Sequence, residues 1–150
     1  MDRLDNRPGI ELTVTVDYFG EEDFETLKER LEPHFRVGGG PAYDFSEAEV
    51  AHIVVGFLMS TLQAVPSSLL TSVLYDGLKA LLLRAKASGR NTTLEFSVRD
   101  GEQYVYALLE TNQEEDLEKG LATLKELARP EYKGESFELE PETQRWKKRT

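Results

Sequence analysis

Cysteine is absent from the 150 residues. This excludes a disulfide framework, a thiolate metal site and a cysteine nucleophile, and it favours a reducing compartment. Histidine is almost absent. His34 and His52 stand far apart, with no His-x-x-x-His or His-Glu-x-x-His spacing to set two imidazoles around one metal. The glycines of Gly38-Gly39-Gly40-Pro41 are not followed by Gly-Lys-Ser/Thr, so there is no lysine or magnesium ligand for a phosphate loop, and the dinucleotide fingerprint is missing too. No Gly-x-Ser-x-Gly elbow presents a serine nucleophile. The expectation is a chain with no metal and no cofactor.

Basic residues are also in short supply. Lys and Arg number 18 against 28 Asp and Glu, for a formal charge of −10. The imbalance is uneven: residues 1–140 carry −13 and residues 141–150 carry +3. An acidic body repels phosphate backbones, so nucleic acid is not expected on it. Met1 to Gly9 contains no apolar run of the kind a secretory leader needs. Together with the missing cysteine, this predicts a cytoplasmic protein. Residues 50–75 hold no charged side chain, yet Gln63, Pro66, Ser67, Ser68, Thr71 and Ser72 would fall across the middle of a bilayer. Polar groups there need partners inside the protein, so a buried helical hairpin is expected rather than a membrane span.

What is present suffices for one core: 39% hydrophobic residues in a chain of ordinary domain length. Ile10, Leu12, Val14, Val16 and Tyr18 alternate with Glu11, Thr13, Thr15 and Asp17, the period of a half-buried strand. Glu21-Glu22-Asp23 then opens a helix with Phe24, Leu27 and Leu31 at helical spacing, closed by Pro33. A short strand at 34–37 and a glycine turn at 38–41 are expected next. Ser46 with Glu49 has the spacing of a capping box, with Phe45 and Val50 as its staple, and predicts a helix from about Glu47. That helix is apolar nearly all round and would place His52, Gly56, Ser60 and Gln63 on one stripe. After a break at Val65-Pro66, a second helix is predicted over 69–87, ended by Ser88-Gly89.

Residues 92–109 read as a hairpin about Asp100-Gly101, with Arg99 facing Glu102. Leu94, Phe96, Val98, Val105, Ala107 and Leu109 share its apolar face. Glu95, Ser97, Tyr104 and Tyr106 share the other. Thr111 with Glu114 is a second capping-box pair, before a helix through Leu117, Leu121, Leu124 and Ala128 that stops at Pro130. An appended strand is expected at Ser136 to Leu139. The fold class is therefore α+β, a small mixed or antiparallel sheet with packed helices in the order β-α-β-α-α-β-β-α. Residues 1–140 form a single domain in this reading, and 141–150 a loose basic tail.

The apolar helical segment from Ile53 to Leu83, the strand Thr92-Thr93-Leu94-Glu95-Phe96-Ser97-Val98, the Asp100-Gly101 turn, its partner strand and the amphipathic helix resemble, as a succession, the effector-associated constant component proteins of bacterial conflict systems. The resemblance runs over about residues 50–128 and is one of element pattern. It implies a noncatalytic partner for an effector, with no catalytic residues to carry over.

Three function classes follow. The first is a protein-interaction or adaptor domain, using the exposed Tyr104 and Tyr106 together with Arg145, Trp146, Lys147, Lys148 and Arg149 of the tail. For the tail, a solubilising end or an internal clamp on the acidic body is the plainer alternative. The second is an acidic inhibitor that mimics nucleic acid. The third is a small-molecule enzyme with a site near His34, Asp17 and Asp44. An apolar sheet face or helix stripe also leaves room for a second copy of the chain.

Overall fold

The computed structural model describes residues 6–15, 18–42 and 51–149. The first strand, β1 (Gly9–Thr15), follows its alternation: Ile10, Leu12 and Val14 are buried and Glu11 is exposed. Helix α1 (Glu21–Leu31) begins where the acids predict, and the Gly20 amide donates to Asp23 Oδ2 at 2.7 Å. Phe24, Leu27 and Leu31 form its buried stripe.

The glycine turn expected at 38–41 is instead part of a strand, β2 (Arg36–Ala42), lying parallel to β1. Two of the three glycines, Gly38 and Gly39, serve close approach. Glu11 Oε1 lies 2.6 Å from where a Cβ on Gly38 would sit, and at Gly39, with φ +89°, a Cβ would lie 2.2 Å from the Leu12 carbonyl oxygen. Pro41 is tolerated because β2 is an edge strand, where a missing N–H costs no ladder bond.

The largest correction concerns the helix expected from about Glu47. Its proposed start, with Ser46, Glu49, Phe45 and Val50, lies outside the described residues. Ala51–Leu58 form strand β3. Ala51, Ile53, Val55 and Phe57 are buried, while His52, Val54, Gly56 and Leu58 face the other way, at least partly exposed. A short apolar run has no periodicity that separates helix from buried strand, and the β-branched trio Ile53-Val54-Val55 tips it to strand. The helical arm thus begins only at α2 (Met59–Ala64). After Pro66 the chain winds as a π-helical stretch (Leu69–Leu74) that runs into α3 (Tyr75–Ala87). Thr71 and Ser72 return their hydroxyl donors to the carbonyls of Ser67 and Ser68, and Gly89, at φ +72°, closes the helix as expected. Among the described residues no helix is long and apolar enough to cross a membrane.

The hairpin consists of β4 (Thr92–Asp100) and β5 (Gln103–Thr111). Its register differs from expectation by two residues: Arg99 faces Tyr104 and Asp100 faces Gln103, so the turn is Gly101-Glu102. Gly101 has φ +66° and takes the first central position, as a type II′ turn requires. A slip of two keeps every side chain on its face, so the apolar face is the expected one. Helix α4 (Glu114–Thr123) follows, but Thr111 does not cap it as a box. Its hydroxyl donates to Asp116 Oδ2 at 2.6 Å and accepts from the Gln113 amide at 2.9 Å. Tight turns at Leu124–Leu127 and Pro130–Tyr132 lead to β6 (Ser136–Glu140), and β7 (Arg145–Lys148) pairs antiparallel with it. The end expected to be loose is therefore an edge strand.

The result is an α+β fold on one seven-stranded mixed sheet, ordered β2-β1-β3-β4-β5-β6-β7. The helices pack against the face that carries Leu12, Ile53, Val55, Phe96, Val105 and Phe137. Among the described residues nothing covers the other face.

Candidate interaction surface

The uncovered face is a grid fixed by strand register. One row crosses the sheet as Gly38, Glu11, Gly56, Ser97, Tyr106 and Ser136. A second row carries Leu58, Arg99 and Tyr104. The alternation that buries Ile53 and Phe96 necessarily turns these residues outward.

Small residues on one side of β4 leave a hollow. A cavity of about 640 Å³ is floored by Gly38, Gly56 and Ser97 and walled by Glu11, Arg36, Leu58, Arg99 and Tyr104. Strand divergence deepens it. The β1–β3 pairing stops at Glu11 opposite Gly56, while Gly9 and Ile10 on one strand and Phe57 and Leu58 on the other run on without partners across the gap. Gly56 fits closely where it stands: a Cβ would come within 3.2 Å of Ser97 Oγ, which would have to give by a few tenths of an ångström, and into ordinary contact with Glu11 Cβ at 3.4 Å.

On the other side of β4 the face rises. Tyr104 and Tyr106 stack with ring centroids 5.6 Å apart at 17°. Tyr106 is 39% exposed and Leu58 54%, two of the three large hydrophobic side chains that stand out of the surface among the described residues. Charge on this face is nearly balanced. Glu11, Glu95, Glu110, Glu138 and Glu140 stand against Arg36, Arg99, Arg145 and Lys147, on a chain of net −10. Among the described residues the excess acid belongs to the helices, notably the first turns of α1 and α4. Arg99 Nε donates to the Gly101 carbonyl at 2.8 Å, which holds the guanidinium along the turn.

The structure brings only part of the expected interaction set together. Tyr104 and Tyr106 share the open face, and Arg145 and Lys147 lie on the same face at its far edge. Trp146 and Lys148 alternate to the helix side. The Trp146 ring packs at the core edge: a Cβ on Gly120 would lie 3.6 Å from its Cζ2. Lys147 pairs with Glu140 at 3.5 Å and Lys148 with Glu135 at 3.1 Å, and the Arg149 amide donates to the Ser136 carbonyl at 2.8 Å. This is the geometry of an internal clamp on the acidic body.

His34 is exposed at the end of α1, near Arg30, Val73 and Asp76. Asp17 and Asp44 lie outside the described residues. His52 is on a strand and not on the expected helical stripe. Its Nε2 lies 3.8 Å from Glu95 Oε2 on the open face, whereas Gln63 belongs to α2 and donates to the Ala128 carbonyl at 2.9 Å. Among the described residues no group of three His, Asp or Glu side chains is placed to hold a metal. Sequence reasoning missed the hollow, because Gly56 and Leu58 were assigned to a helix. The run carries no periodicity that marks them, and the β-branched trio Ile53-Val54-Val55 is the local hint of a strand.

Compared with family models, with curated proteins and with solved structures, the chain matches none.

Proposed function

We propose that this chain is a noncatalytic docking module that acts as an adaptor by binding a protein through its open sheet face. The observation that carries the reading is the one-sided sheet. Purely parallel sheets are covered on both faces, whereas a sheet with antiparallel pairs can leave one face to solvent, so the residues on the open face decide the matter. Here the second face bears stacked tyrosines, a protruding leucine and nearly balanced charge, the composition of a protein contact and not of a solvated surface. The resemblance to effector-associated components agrees in kind and proposes an effector as the protein served.

The test compares tagged wild-type protein with Leu58→Glu and Tyr104→Glu on the open face, and with Glu22→Lys and Glu118→Lys on the helix side, in affinity capture at moderate salt. Binding of a stoichiometric protein that the face variants abolish and the helix variants keep is the expected result. Capture that survives both face variants overturns the reading. Loss only in the helix variants would favour the acidic-mimic alternative.

A further inference from the structure

We propose that the occupant of the open face is a second copy of this chain, docked face to face about a two-fold axis along β4. This rests on the docking reading above and names its partner. The sheet's own register carries it. Gly56 and Tyr106 flank Ser97, one on each side of β4, and Leu58 and Tyr104 likewise flank Arg99. A two-fold axis along β4, the middle strand, exchanges its neighbours β3 and β5. Tyr106 of each copy then enters the hollow above Gly56 of the other, and Tyr104 meets Leu58.

The reciprocity that an isologous contact demands is therefore already present in one face. The raised side is the tyrosine stack, and the hollow it fills is the 640 Å³ cavity. Val54 and Leu108, flanking Glu95, repeat the exchange one row further on. Size and charge agree. Seven strands at ~4.8 Å spacing, over ~7 residues at ~3.3 Å each, give a face of roughly 780 Å². A standard interface needs ~800 Å² per partner. The near-neutral face also lets two chains of net −10 meet where they repel least.

Two contacts are unfavourable and make the arrangement specific. Arg99 lies on the axis strand, so it approaches its own mate, and Glu95 on the same face of that strand also meets its own mate. Removing Arg99 should tighten the pair, which docking of an acidic ligand at Arg99 would not allow.

The experiment is analytical ultracentrifugation of the full chain across micromolar concentrations. A species of twice 17.0 kDa is expected. Tyr106→Glu and Gly56→Leu should each weaken association by about thirtyfold or more, as for an aromatic anchor at an interface centre. Arg99→Ser should strengthen it. Tyr106 is exposed, so its variant tests the contact even where Gly56→Leu unsettles the sheet. Because the chain has no cysteine, Ser97→Cys supplies a single thiol near the axis. A short bismaleimide should link it to its mate, while Glu22→Cys on α1 stays unlinked. A monomer at every concentration overturns the proposal, as does a dimer indifferent to these variants. If the chain is monomeric but the face variants still lose a captured protein, the docking reading stands and the second copy fails. If the chain is monomeric and the face variants lose nothing, both fail.

Discussion

Asp116 is a buried carboxylate with two donors, the Thr111 hydroxyl at 2.6 Å and the Gln144 amide at 3.1 Å. One side chain thus ties the end of β5, the start of α4 and the turn before β7, where Gln144 is held at φ +56°. Hydrogen bonds to a buried charged group contribute more than neutral ones, so Asp116→Ala should destabilise by about 2 kcal/mol in urea unfolding. Thr111→Val should overlap with it, with the double variant costing less than the two added, because both remove one network. A second residue-scale test separates two adjacent glycines. Gly39→Ala must force φ +89° on an L side chain and push a Cβ into the Leu12 carbonyl, whereas nothing lies within 4 Å of a Cβ on Gly40. Gly39→Ala should therefore cost ~2 kcal/mol or more and Gly40→Ala less than ~0.5 kcal/mol, compared by thermal melting.

At the scale of elements, the packing of α3 on α1 depends on Gly77. A Cβ there would lie 2.5 Å from Leu27 Cδ1, so this buried side chain would have to leave its present rotamer. Helix propensity favours Ala over Gly by ~1 kcal/mol, but overpacking costs ~1–3 kcal/mol, so Gly77→Ala should lower the melting temperature. Strand β7 gives a parallel case. Trp146→Ala removes a partly buried ring from the core edge and should cost about 2 kcal/mol, below the ~3–5 of a fully buried tryptophan. Ending the chain at Glu140 should cost more, because β6 would lose its ladder partner too. Elements with one strong local cause were readable in the sequence. Acids before Phe24, Leu27 and Leu31 gave α1, Gly89 ended α3, and the alternation through Leu94 to Leu109 placed both hairpin faces. Three strands, β2, β3 and β7, escaped in whole or in part because their causes are not local. The run 51–58 is apolar on both sides, so only its place within the sheet decides between helix and strand. In β2, Gly38 and Gly39 suit a strand that Glu11 and Leu12 of β1 crowd, and no residue near them in sequence says so. The interaction surface followed the same rule: Tyr104 and Tyr106 could be put on an outer face from their hairpin alone, but the hollow needs the register of five strands.

Over the whole molecule, charge and cover are segregated. Among the described residues the helix layer takes most of the acid, and the open face stays close to neutral, so their charge and their apolar contacts lie on opposite sides of one sheet. This fixes the sign of the salt response. Two copies of net charge −10 repel at long range, and Arg99 repels its own mate near the axis, while the central contacts are aromatic and aliphatic. Added salt screens the repulsion and leaves the apolar contact in place. Association measured by ultracentrifugation should therefore strengthen roughly threefold or more between ~0.05 M and ~0.5 M salt. A partner held by opposite charge behaves the other way, releasing as salt rises. The same screening should raise the melting temperature of a Tyr106→Glu monomer, since it relieves repulsion within the helix layer. Comparing the two separates the effects: gain in both means self-repulsion governs fold and contact alike, and gain in melting with loss of association would mean that charge attraction holds the pair.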